Sequence, residues 1–217
     1  EKTMEKLPVI LILCLSLVLL AGCASANEEP SPTTKIPVPT VAEKTEAQSP
    51  TTAPTEIVAV PKPFELTSPV LEAENMIPTK YSCNGEDISV PLAWGDPPEG
   101  TQSFALIMDD PDAKAVAGFV WIHWIIFNLP PETRSLAEDL PTTDSLPDSS
   151  LQGKNSFGNI GYGGPCPPSG MHHYYFKLYA LDKMLNLSPG TTSGKLTLQM
   201  DGHILAQTEL VTTYRNH

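Results

Sequence analysis

Every Trp, Tyr and Phe of this 217-residue chain lies at or after position 64. Aromatic side chains carry the largest single-residue shares of a hydrophobic core, so the first 63 residues are poorly equipped to build one. What remains is room for one domain of about 150 residues, a size that buries enough surface to be stable alone. The mean composition, 41% hydrophobic and 18% charged, looks globular only because unlike segments are averaged together. A formal net charge of −12 disfavours nucleic acid as a partner, because that binding needs Lys and Arg to displace phosphate counterions. Only one short apolar run, near the start, suits a bilayer, which excludes a polytopic membrane protein.

That run is Pro8–Leu20, PVILILCLSLVLL, uncharged and preceded by Met4 and Lys6. It is shorter than the roughly 20 apolar residues of a spanning helix and fits the apolar region of a secretory signal. Leu20-Ala21-Gly22-Cys23 follows. A Leu, two small residues and a Cys resemble the bacterial lipoprotein signal. The resemblance implies that 1–23 is a signal peptide ending at a lipidated Cys23, and that the rest is extracytoplasmic, anchored to the cell membrane or envelope. A second acyl chain makes such an anchor stable, since one chain holds only marginally. The plainer alternative is an ordinary signal, or an uncleaved anchor, with Cys23 incidental.

Residues 24–62 contain seven Pro, seven Thr, no Gly and no aromatic. Such a stretch buries too little apolar surface to offset the entropy of ordering it, and its prolines favour extended conformations. It reads as a disordered tether. A proline-rich ligand for another protein is the sharper alternative.

Residues 63–217 read as mostly β. Ser103–Met108, Phe119–Asn128 and His173–Leu181 are short apolar runs rich in β-branched and aromatic residues, bounded by Pro, Gly and Asp, which predicts buried strands. Ile204–Tyr214 is a weaker fourth, and the spacing from Ser193 to about Met200 predicts a helix with a Ser or Thr cap. An all-β core of two packed sheets with a few short helices is expected.

His123 sits within the most apolar of these strands, where strict alternation would put Trp121, His123, Ile125 and Phe127 on one face. His172 opens the next, with Tyr174 and Phe176 on its face. A satisfied core histidine is the plain reading of each. Strand 103–108 runs into Asp109-Asp110-Pro111-Asp112, and three crowded carboxylates at the end of a buried strand are costly as structure alone. Pro111 stiffens the turn. Rigid Asp beside His either fixes an imidazole tautomer or raises its pKa, giving an anion site if the ring is protonated and a metal site if it is neutral. The spacing does not choose between them. Leu151–His172, LQGKNSFGNIGYGGPCPPSGMH, combines six Gly with three Pro. It reads as a shaped rim with N–H groups turned to an anion, or else as an ordinary covering loop. GxSxG and HExxH are absent, which removes two common hydrolase signatures.

Several motifs in order, IPTKYSCNGEDIS at 77–89, FALIMDDPDA at 104–113, WIHW at 121–124, the run from 151 to 182 and GHILAQTEL at 202–210, resemble the phosphatidylethanolamine-binding protein family, in its bacterial Raf-kinase-inhibitor-like branch. The resemblance implies a β-sandwich with a small anion pocket lined by Asp110, His123, His172 and Tyr174. It implies support from Asp112 and the turn Gly163, Gly164 and Pro165. Lys114 and Val90 stand where the family usually has Pro, and His173 where Arg commonly follows the second pocket histidine. Losing that Arg removes a permanent charge.

With Cys14 in the signal and Cys23 lipidated, Cys83 and Cys166 remain as one pair in an exported domain. An oxidising compartment permits a disulfide between them, and two nearby buried thiols are the alternative. The leading functional expectation is a binding module for a phosphate-like anion or phospholipid headgroup, not an enzyme, with no cofactor and no metal. The alternatives are an inhibitor or regulator of a protease or kinase through protein contact, and a metal-dependent hydrolase built on Asp110, Asp112, His123 and His172.

Overall fold

The computed structural model describes residues 62–216. The signal, Cys23 and nearly all of the tether lie outside the described residues, as does His217.

The described residues form two antiparallel sheets. The larger contains β3 (Ser103–Asp110), β4 (Trp121–Leu129), β6 (Leu151–Gln152), β7 (Met171–Leu181) and β8 (Ile204–Arg215), in the order β6-β4-β3-β7-β8. The smaller contains β1 (Leu66–Thr67), β2 (Leu92–Trp94) and β5 (Ser135–Leu136), in the order β1-β2-β5. Among the described residues there are also two short α-helices, α1 (Lys114–Ala117) and α2 (Ser193–Met200), and a 3-10 turn at Thr79–Tyr81.

One core fills the space between the sheets. Leu66, Leu92, Trp94 and Leu136 of the small sheet meet Phe104, Leu106, Met108, Trp124, Ile126 and Phe176 of the large one. A second cluster covers the opposite face of the large sheet, where Leu196 and Met200 of α2 pack with Ala105, Ile107, Ile125 and Phe127. β3 is therefore enclosed on both faces and all eight of its residues are buried, which is why its sequence is an unbroken apolar run until the aspartates. β7 alternates instead, with His172, Tyr174, Phe176, Leu178 and Ala180 inward. Thr192 occupies the N-cap of α2, but its side chain makes no capping hydrogen bond, so the expected side-chain cap is not formed.

The strands depart from their expected limits near the site. β3 continues through Asp109 and Asp110. β4 starts at Trp121, leaving Phe119 and Val120 exposed before it. Met108 pairs with Trp124 and Asp109 with Ile122, so His123 is the extra residue of a β-bulge. A bulge re-aims side chains next to it. Below it Trp124 and Ile126 enter the inter-sheet core while Ile125 and Phe127 enter the second cluster. Above it Ile122 packs on the second cluster, and Trp121 and His123 line a cavity with Asp110 and His172. The single face expected for Trp121, His123, Ile125 and Phe127 is therefore split, because the bulge breaks strict alternation.

Candidate binding pocket

The cavity has a volume of about 220 Å³ and lies where the Asp110 end of β3, the start of β4 and the start of β7 meet α1 and the 157–168 loop. Its polar lining is Asp110, His123 and His172 together with the indole of Trp121. Its apolar lining includes Val116, Ala117, Phe157, Pro167 and Pro168. Among the described residues no Lys or Arg lines it.

Antiparallel pairing on both sides of β3 sets His123 and His172 on either side of Asp110, with only His172 in contact with its carboxylate. His172 Nδ1 donates to Asp110 Oδ2 at 2.7 Å, with both side chains nearly buried. The other oxygen of Asp110 accepts the Ala113 N–H at 3.0 Å, so the carboxylate is fixed from two directions. On β4, His123 Nδ1 lies 2.6 Å from the Gly163 carbonyl oxygen. A carbonyl only accepts, so Nδ1 carries the proton and Nε2 is the nitrogen left with a lone pair. The Gly163 N–H returns a bond to the His123 carbonyl at 2.9 Å. Burial holds the His123 pKa below the ordinary imidazole value, against the pull of Gly163, Asp110 and Asp87. The expectation that a neighbouring Asp would raise it fails for His123, because desolvation of the cation outweighs an attraction from carboxylates that do not touch the ring.

Tyr174 is fully buried, with its ring edge-on to His123 at 5.2 Å between centroids. Its hydroxyl is close to Asp110, yet has no well-aligned hydrogen-bond partner among the described residues. Burial, and then the Asp110 charge, push its pKa up, so it stays a neutral donor. The Trp121 indole N–H is likewise buried and unpartnered among the described residues. Trp121 stacks on Phe119 at 5.5 Å and meets Phe157 edge-on at 5.3 Å.

Asp112 is not part of the lining. It is exposed, and its Oδ2 accepts from both the backbone N–H and Nδ1 of His173, at 2.8 and 2.7 Å. Burial pushes the Asp112 carboxyl up, but those bonds outweigh it and hold the pKa below the ordinary value. His173, standing where the family commonly has Arg, thus ties the turn after β3 to β7 on the outside of the pocket. Asp109 lies on the far face, where Lys177 Nζ reaches its Oδ2 at 2.6 Å.

The glycine-proline loop supports the pocket and does not offer the expected N–H groups at Gly163 and Gly164. The Gly163 N–H is taken by His123, and the Gly164 N–H donates to Asp87 Oδ1 at 2.6 Å. The Pro165 carbonyl accepts the Cys83 N–H at 3.2 Å, and Cys83 and Cys166 are joined by a disulfide. Both cysteines are exposed and bonded to each other, so the alternative of two buried thiols does not describe this structure. Tyr162 adds a bond from its hydroxyl to the Tyr81 carbonyl at 2.7 Å. Loop 162–166 is thereby fastened to segment 81–87 at four points.

Sequence reasoning missed Asp87, Phe157 and the apolar wall of α1. Asp87 lies inside the CNGED stretch, where a polar residue after Gly reads as a turn. Its real partner is 77 positions away. Among the described residues no group of three or more His, Cys, Asp or Glu is placed to hold a metal ion. The four-ligand hydrolase site is not assembled, because Asp112 faces His173.

The model of the family described as phosphatidylethanolamine-binding protein matches residues 67–215. A UPF0098 protein of Methanothermobacter thermautotrophicus is 50% identical over 139 residues, covering 64% of this chain and 90% of the relative. One from Aquifex aeolicus is 46% identical over 142 residues, covering 64% and 81%. A phosphatidylethanolamine-binding protein homologue from Chlamydia trachomatis superposes with a TM-score of 0.65 at 42% identity, over 71% of this chain and 98% of that one. E. coli YbcL, described as a member of the mammalian family, gives 0.66 at 32%, over 71% and 99%. With a family match across nearly the whole described region, the chain belongs to the phosphatidylethanolamine-binding protein family.

Proposed function

We propose that this chain is a membrane-tethered extracytoplasmic binding module whose pocket takes a small phosphate-like anion, free or as a phospholipid headgroup, and that it is not an enzyme. The observation that carries the ligand reading is the convergence of Asp110, His123 and His172 on a cavity of about 220 Å³ whose remaining lining is largely apolar, a few polar groups set in an apolar pocket being the usual make-up of a small-ligand site. Binding is favoured over catalysis because the lining holds no Ser, Thr or free thiol beside the His172–Asp110 pair, so the pair has no nucleophile to activate. The tether reading rests on the LAGC motif after the uncharged apolar run.

Titration calorimetry of the whole chain with phosphoethanolamine near pH 6 tests the ligand. Measurable binding is expected, weakened roughly tenfold by His172→Ala or His123→Ala, which remove polar groups of the lining. Absence of binding by the wild type, or full affinity in both His123→Ala and His172→Ala, would refute it. Mass spectrometry of the membrane fraction tests the tether, with a diacylglyceryl-modified peptide beginning at Cys23 expected. An unmodified soluble chain beginning elsewhere would remove that part of the proposal.

A further inference from the structure

The part of the cavity wall made by Cys166, Pro167 and Pro168 is attached to the domain differently from the loop that leads into it. Up to Pro165 the loop is pinned by hydrogen bonds. The Tyr162 hydroxyl donates to the Tyr81 carbonyl, the Gly164 N–H to Asp87 Oδ1, and the Cys83 N–H to the Pro165 carbonyl. Beyond Pro165 these ties stop. Among the described residues the backbone of 166–170 makes no hydrogen bond to another part of the domain, and Pro167 and Pro168 have no N–H to give. Strand pairing resumes at Met171, the first residue of β7. Between those two anchors the segment is held by the covalent bond from Cys166 to Cys83 and by the apolar contact of buried Pro167. Gly170, at φ +77° and with no neighbour crowding it, gives the chain freedom where the segment joins β7.

The covalent tie is open to solvent. Cys83 and Cys166 are exposed, and so are Asn84 to Asp87 on one side and Pro168 to Gly170 on the other. Exchange needs a thiolate to reach a sulfur, and exposed disulfides are the ones that exchange.

We propose that Cys83–Cys166 is a thiol-exchange site of the folded protein, opened by dithiols, and that its opening frees the 166–170 wall of the cavity while the domain stays folded. A thiolate of the dithiol bonds to one sulfur of the pair, and the other cysteine leaves as a thiolate. The second thiol of the dithiol then attacks the mixed disulfide and expels the remaining cysteine. The dithiol ends as a cyclic disulfide, having given up two electrons and two protons, and both cysteines end as thiols. The core between the sheets and the hydrogen bonds at 162–165 involve no sulfur of this pair, so the release is local. The exchange is independent of what the cavity binds, and its failure leaves the small-ligand reading standing.

Dithiothreitol added to the whole oxidised chain in native buffer, followed by alkylation and peptide mass spectrometry, tests the exchange. Both Cys83 and Cys166 should carry the label without any denaturant. If either stays unlabelled until denaturant is added, the exchange site is overturned. Backbone NMR order parameters read the wall. For Ser169 and Gly170 they should fall from about 0.85 in the oxidised chain to below about 0.6 after reduction, with Tyr162 and Gly164 unchanged. A chain carrying Cys83→Ser and Cys166→Ser should show the low values with no reagent present. Order parameters at Ser169 and Gly170 that do not move on reduction, or signals that collapse across the whole domain, would overturn the local release.

Discussion

Gly164→Ala is the sharpest test of how the pocket wall is held. A Cβ built on Gly164 would stand 2.4 Å from the Tyr81 carbonyl oxygen, 2.6 Å from Asp87 Oδ1 and 2.8 Å from Ser82 Cα. Two of those atoms are backbone, and the backbone they belong to is tied to the same loop by the Cys83–Cys166 disulfide and by the Cys83 N–H to Pro165 bond. The methyl cannot be accommodated by turning a flexible side chain aside. Overpacking of this kind costs about 1–3 kcal/mol. Separating the strands of chain also lengthens the Gly164 N–H to Asp87 bond, a charge-assisted contact worth about 1.5–3 kcal/mol, taken at the low end because Asp87 is exposed. The total is about 3 kcal/mol, which for a domain of this size lowers Tm by roughly 6–12 °C. Differential scanning calorimetry of the whole chain measures it. Gly194→Ala, in α2 with nothing within 4 Å of the added Cβ, is the matched control. It should hold or raise stability, by up to about 1 kcal/mol. If Gly164→Ala melts within about 2 °C of the wild type, the close approach is not a constraint and the fastening of the loop has been misread.

The pH dependence has a definite sign. Unfolded His123 titrates near 6.5, and in the fold burial holds it lower. Between those values the unfolded chain binds a proton that the folded chain does not. Its contribution to stability is therefore complete above about 6.5 and is lost as pH falls toward the folded value, by at most about 1.4 kcal/mol per unit. Denaturant midpoints measured from about pH 7 down to pH 5 should fall less steeply for His123→Gln than for the wild type; parallel curves would show that His123 is not the group responsible. Replacing Cys83 and Cys166 together by Ser opens a covalent link across 83 residues. It should lower stability by about 2–4 kcal/mol, read as a shift in Tm, and a double variant as stable as the oxidised wild type would show that the link constrains little.

Much of the fold is local in origin and was legible. The run Ser103–Met108 is apolar on both faces because β3 is enclosed by both clusters. The alternation after His172 marks a strand with one inward face. The gap in aromatics set the domain boundary to be expected, and the clash of Asp109, Asp110 and Asp112 with a buried strand marked the neighbourhood of the site. The two-residue strands β1, β5 and β6 were not legible, because a period of two cannot be read from two residues.

What only the tertiary structure decided is where each of those side chains points. The sequence alone determined that His123 lies in a buried strand; it put the residue on the face of Ile125 and Phe127, since alternation is the only rule a lone strand offers. The bulge opposite Met108 and Asp109 turns it to the pocket instead, and a bulge exists only in the pairing of two strands. The same holds for the aspartates. Their spacing made all of them candidates, but pairing with β7 gives Asp110 to His172, Asp112 to His173 and Asp109 to Lys177. Those partners lie 61 to 68 positions away in the chain, and composition carries no information about which of them closes on which.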